Sequence, residues 1–408
     1  MNDNSYYDVA IDKLKGFGYP SELCDVVFRF SKYVYDKFSD MTPGVLLIGS
    51  TARGELSWAD NSEGVHLFSD IEFLVAVSKN NKNKEDEFRN LILKLETEYD
   101  FGDLFHIDYT IITWSKLPKL EKKFFIYESK QCGINFGEKS VSSQLPIVNR
   151  SNIKWKELNE VLLHRLTSML HAIPVTFLTS TMTIEEKRTI GLNIAKNTLD
   201  ITTWLHPYEA DNLVAGFTMR LASWDKAFLE RKKLGEFISS EDIDYMNRCL
   251  ALRNSPYSDV DVMGMLQKTL SLYSKAILYC KAMNDMDKKT NISDVVPSIK
   301  LFDEYSLRQR VSQASSMFKN ISEVGLSKFV RNSVCIRKGI AVNICNFLLL
   351  AANDCIKEDA ASIKHLNMAR SEFSKLTKLE VIQEENFVKA WIDLRECFKQ
   401  YQNITHNY

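Results

Sequence analysis

At 408 residues, 45% hydrophobic and 26% charged, the chain has a globular composition and the length for two or three domains of roughly 100–200 residues each. A formal net charge of -1 counts against a protein that holds nucleic acid by bulk electrostatics, which needs a basic face. Eight cysteines with no C-x-x-C pair and no nearby histidine at ligand spacing count against a structural zinc or a disulfide framework, and they read as reduced thiols in core positions.

The N-terminus, MNDNSYYDVAIDKLKGFG, has neither the basic start nor the apolar stretch of a signal peptide, so a cytoplasmic protein is expected. Residues 5–40 show helical apolar spacing in two pieces split by GFGYP, and MTPG then turns the chain into a first strong strand from Val45 to Ile48. SDIEFLVAV (69–77) and LFHIDYTII (104–112) are β-rich runs. Between them KEDEFRNLILKLETEY (84–99) has apolar residues at 88, 91, 92 and 95, which predicts a helix. After GINFGEKS (133–140) strand-like runs nearly disappear.

Thr183 and Glu186 form a capping box that opens a helix with Ile190, Ile194, Ile201 and Leu205 on one side, predicted to stop before Pro207. Further helices are predicted at 209–223, 241–253 and 259–283, with NDMDKKTNISDVVP (284–297) as a linker and amphipathic helices beyond it. The most apolar run, GIAVNICNFLLLAAN (339–353), is shorter than the roughly 20 residues of a spanning helix and reads as a buried one, so no membrane is expected. The predicted class is α+β. N-terminal helices (1–40) precede a small mixed β-sheet domain (41–145), and an all-α region follows, divided into 150–285 and 297–408.

In LLIGSTARGE (46–55) a strand ends in Gly49 and Ser50 and leads into a short helix-compatible segment. Such an end presents free backbone N–H groups and the positive end of the helix dipole, a ready phosphate site. Glycine lets a phosphate approach the backbone, and the Ser50 hydroxyl adds a donor. The same pair also suits a plain turn and helix cap. Asp70 and Glu72 stand two apart on a predicted strand and so share a face. Side by side on an apolar strand they are costly unless a cation sits between them, and hard oxygen ligands suit Mg2+. The plainer reading is the wet face of an edge strand. Asp108 interrupts another apolar strand. If the strands are neighbours, Asp70, Glu72 and Asp108 converge beside Gly49 and Ser50, which are the ingredients of two-metal phosphoryl transfer.

Gly49-Ser50, ARGE and SDIEFLV, followed by the isolated Asp108, resemble the nucleotidyltransferase superfamily that includes DNA polymerase beta. GSTARGE is similar to the minimal nucleotidyltransferases and SDIE to the kanamycin-type enzymes. The resemblance covers residues 41–140, a quarter of the chain. It implies a small mixed sheet flanked by helices, an NTP (ATP is expected) bound with two Mg2+, and transfer of an NMP to an acceptor hydroxyl with release of pyrophosphate. Gly49 and Ser50 match the positions that hold the β and γ phosphates. Asp70 and Glu72 match the carboxylates that bind both metals. Asp108 matches the third, which binds the catalytic metal or helps take the acceptor's proton. The resemblance also supports Arg53 as a phosphate contact from the first helical turn.

A helical domain often closes over the nucleotide in this superfamily, which makes Lys187, Arg188 and Lys196 further candidates, with Lys196 assigned to the nucleotide. Tyr109 should point away from Asp108 into the core. LSWADNSEGVHLF (56–68) lengthens the segment between the Gly-Ser and the carboxylates. It reads as a surface loop, or as a shaper of the acceptor site through Trp58 and His66. The first-choice acceptor is a small molecule in a cleft. The alternatives are nucleotidylation of a protein and a non-catalytic nucleotide-binding scaffold; a nucleic-acid acceptor ranks lower. HEPN ribonucleases, whose signature is an Arg, four to six residues and a His, often accompany minimal relatives, and ribonuclease activity is not expected in the helical part.

Overall fold

The computed structural model describes residues 5–62, 64–79, 82–102, 105–153, 165, 182–209, 212–224, 229–230, 232–256, 259–284 and 367. Apart from Asn284 and Asn367, the expected linker at 284–297 and the C-terminal helices at 297–408 lie outside these residues. The chain packs as two units. The described residues of Met1–Lys154, His206–Phe228 and Ile243–Asp259 make the first, and those of Trp155–Leu205, Leu229–Asp242 and Val260–Tyr408 the second.

The first unit begins with α1 (Ser5–Gly16) and α2 (Ser21–Lys37), split at GFGYP as expected. Then come β1 (Gly44–Ile48), α3 (Gly49–Arg53), β2 (Trp58–Asn61), β3 (Gly64–Leu67), β4 (Ile71–Val77) and α4 (Lys82–Tyr99). β5 (Ile107–Thr113), α5 (Phe124–Cys132), β6 (Ile134–Phe136) and α6 (Val141–Gln144) complete its N-terminal part. The main sheet runs β5-β4-β1-β6, with β1 antiparallel to both β4 and β6 and β4 parallel to β5. A parallel pair needs a long crossover, and α4 supplies it. The class is therefore α+β with a small mixed sheet.

The central strands read as nearly unbroken apolar runs because both sheet faces are covered. Ile71, Phe73, Val75 and Val77 of β4 pack in one core with Leu14, Val27, Phe30 and Phe88 from α1, α2 and α4. Leu74 and Ala76 pack in a second core with Leu46, Phe124, Ile126 and Val141 from β1, α5 and α6. Phe30 stacks on Phe73 with ring centroids 4.1 Å apart, Phe38 on Phe88 at 4.3 Å, and Phe88 on Tyr109 at 5.3 Å. Each such pair adds about 0.5–1.5 kcal/mol beyond its buried area. Tyr109 is thus core-directed, as its alternation with Asp108 predicted.

The strands depart from the sequence reading in two places, and the helix predicted at 209–223 forms only over Phe217–Ser223. The 56–68 segment is a β-hairpin, β2–β3, closed at its base by Phe68 N donating to Ser57 O at 2.9 Å and pinned to its surroundings by Leu67 N donating to Phe101 O at 2.9 Å. β6 adds a strand of only three residues beside β1, too short to leave a period in the sequence.

Helix α7 (Ile184–Glu209) opens on the expected capping box: Thr183 N donates to Glu186 Oε2 at 2.8 Å and Glu186 N donates to Thr183 Oγ1 at 3.1 Å. It does not stop before Pro207. It runs on to Glu209, because Pro207 falls in its last turn and Arg150 satisfies the terminal carbonyls, donating from Nε to Pro207 O at 2.7 Å and from Nη2 to Tyr208 O. α8 (Phe217–Ser223), α9 (Ser240–Asn254) and α10 (Val262–Asn284) follow. Within the second unit α7 and α10 join through Thr198 and Thr269 hydroxyls 2.7 Å apart and through Tyr273 OH donating to Asn197 O at 2.9 Å. No helix among the described residues is long and apolar enough to cross a membrane. Cys24 and Cys249 are buried and Cys132 is half-buried, each as a thiol.

Candidate functional site

Register sets the centre of the site. Ile48, the last residue of β1, stands opposite Glu72, and Glu72 stands opposite Asp108 on β5. The chain leaves Ile48 through Gly49 with φ +71°, a region that glycine enters without steric cost. A Cβ at Gly49 would lie 1.7 Å from Glu72 Oε2, so the carboxylate rests directly against the glycine backbone. Ser50 Oγ is 3.3 Å from Ser69 Oγ, which ties the start of α3 to the residue before Asp70. Asp70 is half-buried and immediately precedes β4 rather than lying within it.

Asp108 has a partner that the sequence reading passed over. His106 Nε2 is 3.3 Å from Asp108 Oδ1, and its Nδ1 is 2.6 Å from Glu96 Oε1, which also accepts from Ile107 N at 2.9 Å. The spacing in HID was the available signal, since residues two apart on a strand share a face. Asp70, Glu72 and Asp108 lie at the same end of β4 and β5 as Gly49 and Ser50, but among the described residues no group of three or more His, Cys, Asp or Glu is arranged to hold a metal ion. Mg2+ is usually bound through one or two carboxylates plus phosphates and water rather than by an all-protein cage, and Glu72 opposite Asp108 suits that donor set.

Replacing Gly49 by alanine should test this contact. The left-handed backbone costs about 1–2 kcal/mol for a residue with a Cβ, and the Glu72 carboxylate must also leave its place. Urea denaturation should register that loss; an unchanged midpoint would mean that backbone and carboxylate adjust freely.

The Arg53 guanidinium is engaged by two carboxylates. Its Nε lies 2.9 Å from Glu55 Oε2 and its Nη1 3.3 Å from Glu128 Oε2, inside a buried ionic cluster. Arg220 Nη1 lies 2.8 Å from Glu128 Oε1, which also accepts from Gly216 N at 3.0 Å. Thr218 N donates to Glu55 Oε1 at 2.9 Å, and Arg253 Nη2 donates to the Glu55 carbonyl at 3.1 Å. The Phe217 ring lies 5.7, 5.1 and 5.8 Å from the guanidinium carbons of Arg53, Arg220 and Arg253. The reason is charge balance: two interior carboxylates need cations at close range.

Burial pushes the Glu128 carboxyl upward, but the charges of Arg53 and Arg220 and the Gly216 amide outweigh it and hold the group at about 2. Burial and the charge of Arg220 push His206 down to about 4; its Nε2 accepts from Val214 N at 3.1 Å. Both groups bind protons less readily when folded than when unfolded, so both favour the folded state at neutral pH and lose that contribution on acidification. His206 loses it between about pH 6.5 and 4. Glu128 loses its share between about pH 4.5 and 2. Thermal melts across pH 2–7 should fall in both windows, and Glu128→Gln should flatten the lower one.

Trp58 is half-buried on β2. His66 stands opposite Ala59 and therefore shares the other face of the hairpin, not that of Trp58. Lys196 is half-buried on the second-unit part of α7, Lys187 is exposed there, and Arg188 pairs with Glu185. RLTSMLH (165–171) does carry an Arg, five residues and a His, a spacing the sequence reading missed. Arg165 Nε lies 2.6 Å from Asp200 Oδ2, while His171 lies outside the described residues.

Comparison with protein-family models, with curated proteins and with solved structures returns no match for this chain.

Proposed function

We propose that the chain is a Mg2+-dependent nucleotidyltransferase that moves an NMP from an NTP, ATP being expected, to an acceptor hydroxyl and releases pyrophosphate. The observation that carries this reading is the meeting of Glu72 with both Asp108 and the Gly49 backbone at one strand end. It brings two carboxylates to the strand end where Gly49 and Ser50 open the short α3, the elements the reading needs in one place. In this reading Gly49 and Ser50 bind the triphosphate and orient it. Glu72 and Asp108, with Asp70 just before the strand, would supply carboxylate ligands to Mg2+ beside phosphate and water, and the ion when bound would neutralise charge developing on the phosphates. Asp108, exposed over 57% of its side chain, takes the acceptor's proton. Arg53 holds Glu55 and Glu128 in place.

A small-molecule acceptor is the first choice, and a protein acceptor is the alternative. The pairing of Asp108 with His106 favours a second reading, a non-catalytic nucleotide-binding scaffold, since it engages the carboxylate that the reaction would use. The test incubates wild type and Asp70→Asn with α-labelled ATP, Mg2+ and cell extract and separates products by mass. Label on a low-mass compound, dependent on Asp70, supports the first reading. Label on a macromolecule replaces its acceptor, and nucleotide binding without transfer leaves the scaffold.

A further inference from the structure

A cavity of about 790 Å3 opens in the first unit, within the roughly 300–1,000 Å3 typical of small-molecule sites. Phe17, Tyr19 and Trp58 give it aromatic surface, Asn254 and Ser255 give it neutral polar groups, and Asp60 is the one charged side chain among its described lining. Trp58 and Asp60 stand two apart on β2 and so face the same way. The Tyr19 ring is fixed, because its hydroxyl donates to Thr51 O at 3.1 Å and accepts from Leu56 N at 3.2 Å. Phe17 meets it edge-on with centroids 5.7 Å apart. Gly54 lets Phe17 approach, since a Cβ there would lie 2.8 Å from the ring. The aromatic wall is therefore preformed.

The lining decides the ligand chemistry. Aromatic faces attract cations, and a carboxylate beside them adds charge attraction. The same carboxylate, with no Lys or Arg among the described lining, repels phosphate and other anions. The nearby guanidinium of Arg53 is committed to Glu55 and Glu128. We propose that this cavity binds a small organic ammonium compound, held between the aromatic wall and the Asp60 carboxylate. The binding claim stands without the transfer reading.

The test is an NMR titration of the tryptophan indole N–H signals with choline, the Trp58 signal being assigned by its loss in Trp58→Phe. Choline should shift that signal saturably. Asp60→Asn should weaken binding about tenfold, whereas Asp60→Glu should largely retain it. The neutral isostere 3,3-dimethylbutan-1-ol should bind far more weakly than choline, and Asp70→Asn should bind choline as the wild type does. Absence of a shift, equal binding by the neutral compound, or equal binding by Asp60→Asn would overturn the proposal. The two readings separate cleanly: choline binding without labelled product sinks the transferase alone, and labelled product without choline binding sinks the cavity assignment alone.

Discussion

Arg220→Met should cost the first unit about 3–5 kcal/mol of stability, the range seen when one partner of a buried ion pair is removed. Arg220 is fully buried, and Glu128, which it contacts at 2.8 Å, has only 11% of its side chain exposed. Methionine keeps much of the contact with Phe124 and Phe217 but leaves Glu128 short of one cation. The remaining partners, Arg53 at 3.3 Å and the Gly216 amide at 3.0 Å, do not replace it. The double variant Arg220→Met with Glu128→Met should recover most of the loss, because an apolar pair of similar volume can match a buried ion pair. Urea denaturation of the single and double variants measures both quantities. A single variant within about 1 kcal/mol of wild type would mean that water reaches Glu128 and the cluster is not dry.

If the chain is the proposed nucleotidyltransferase, Asp70→Asn should lower transfer by about three orders of magnitude, or about 4 kcal/mol of barrier, while changing stability by less than about 0.5 kcal/mol. Asn keeps the shape of Asp but lacks its charge, so a metal loses a hard anionic ligand. Glu72→Gln should lose transfer similarly and also disturb Gly49, against whose backbone the carboxylate rests. Labelled product formed per minute, read beside the urea midpoint of each variant, separates chemistry from folding. Transfer by Asp70→Asn at the wild-type rate would remove Asp70 from the site.

β1 and β4 were legible as apolar runs because both their faces are covered, whereas β5, an edge strand with little of it buried, showed through its β-rich composition; Glu72 and Asp108 stood out as charges within these runs. The sequence could not show that Glu72 falls opposite Asp108, because register depends on pairing between distant segments. β2 was hidden for a different reason: WADN is half polar, and it is exposed or half-buried in the fold. The true partners of Arg53 were out of reach as well, since Glu128 lies 75 residues away and has no local pattern tying it to Arg53. His106 and the Arg165–His171 spacing were readable and were overlooked. Pro207 misled because a proline usually ends a helix, and here Arg150, 57 residues earlier, caps the turn that contains it.

The way the first unit is threaded bears on how this protein can be dissected. Its core takes Phe30 and Val27 from the N-terminal helices, and its ionic cluster takes Gly216, Arg220 and Arg253 from two later segments separated by stretches of the second unit. A fragment beginning at residue 41 would bare an aromatic face, and one ending at residue 153 would leave Glu128 and Glu55 without most of their partners. An uninterrupted piece that keeps these parts must run from the N-terminal helices through Arg253. The sheet is therefore not a portable cassette: recombination that swaps linear segments would break it, and only exchange of the whole interleaved stretch would carry the site to another chain.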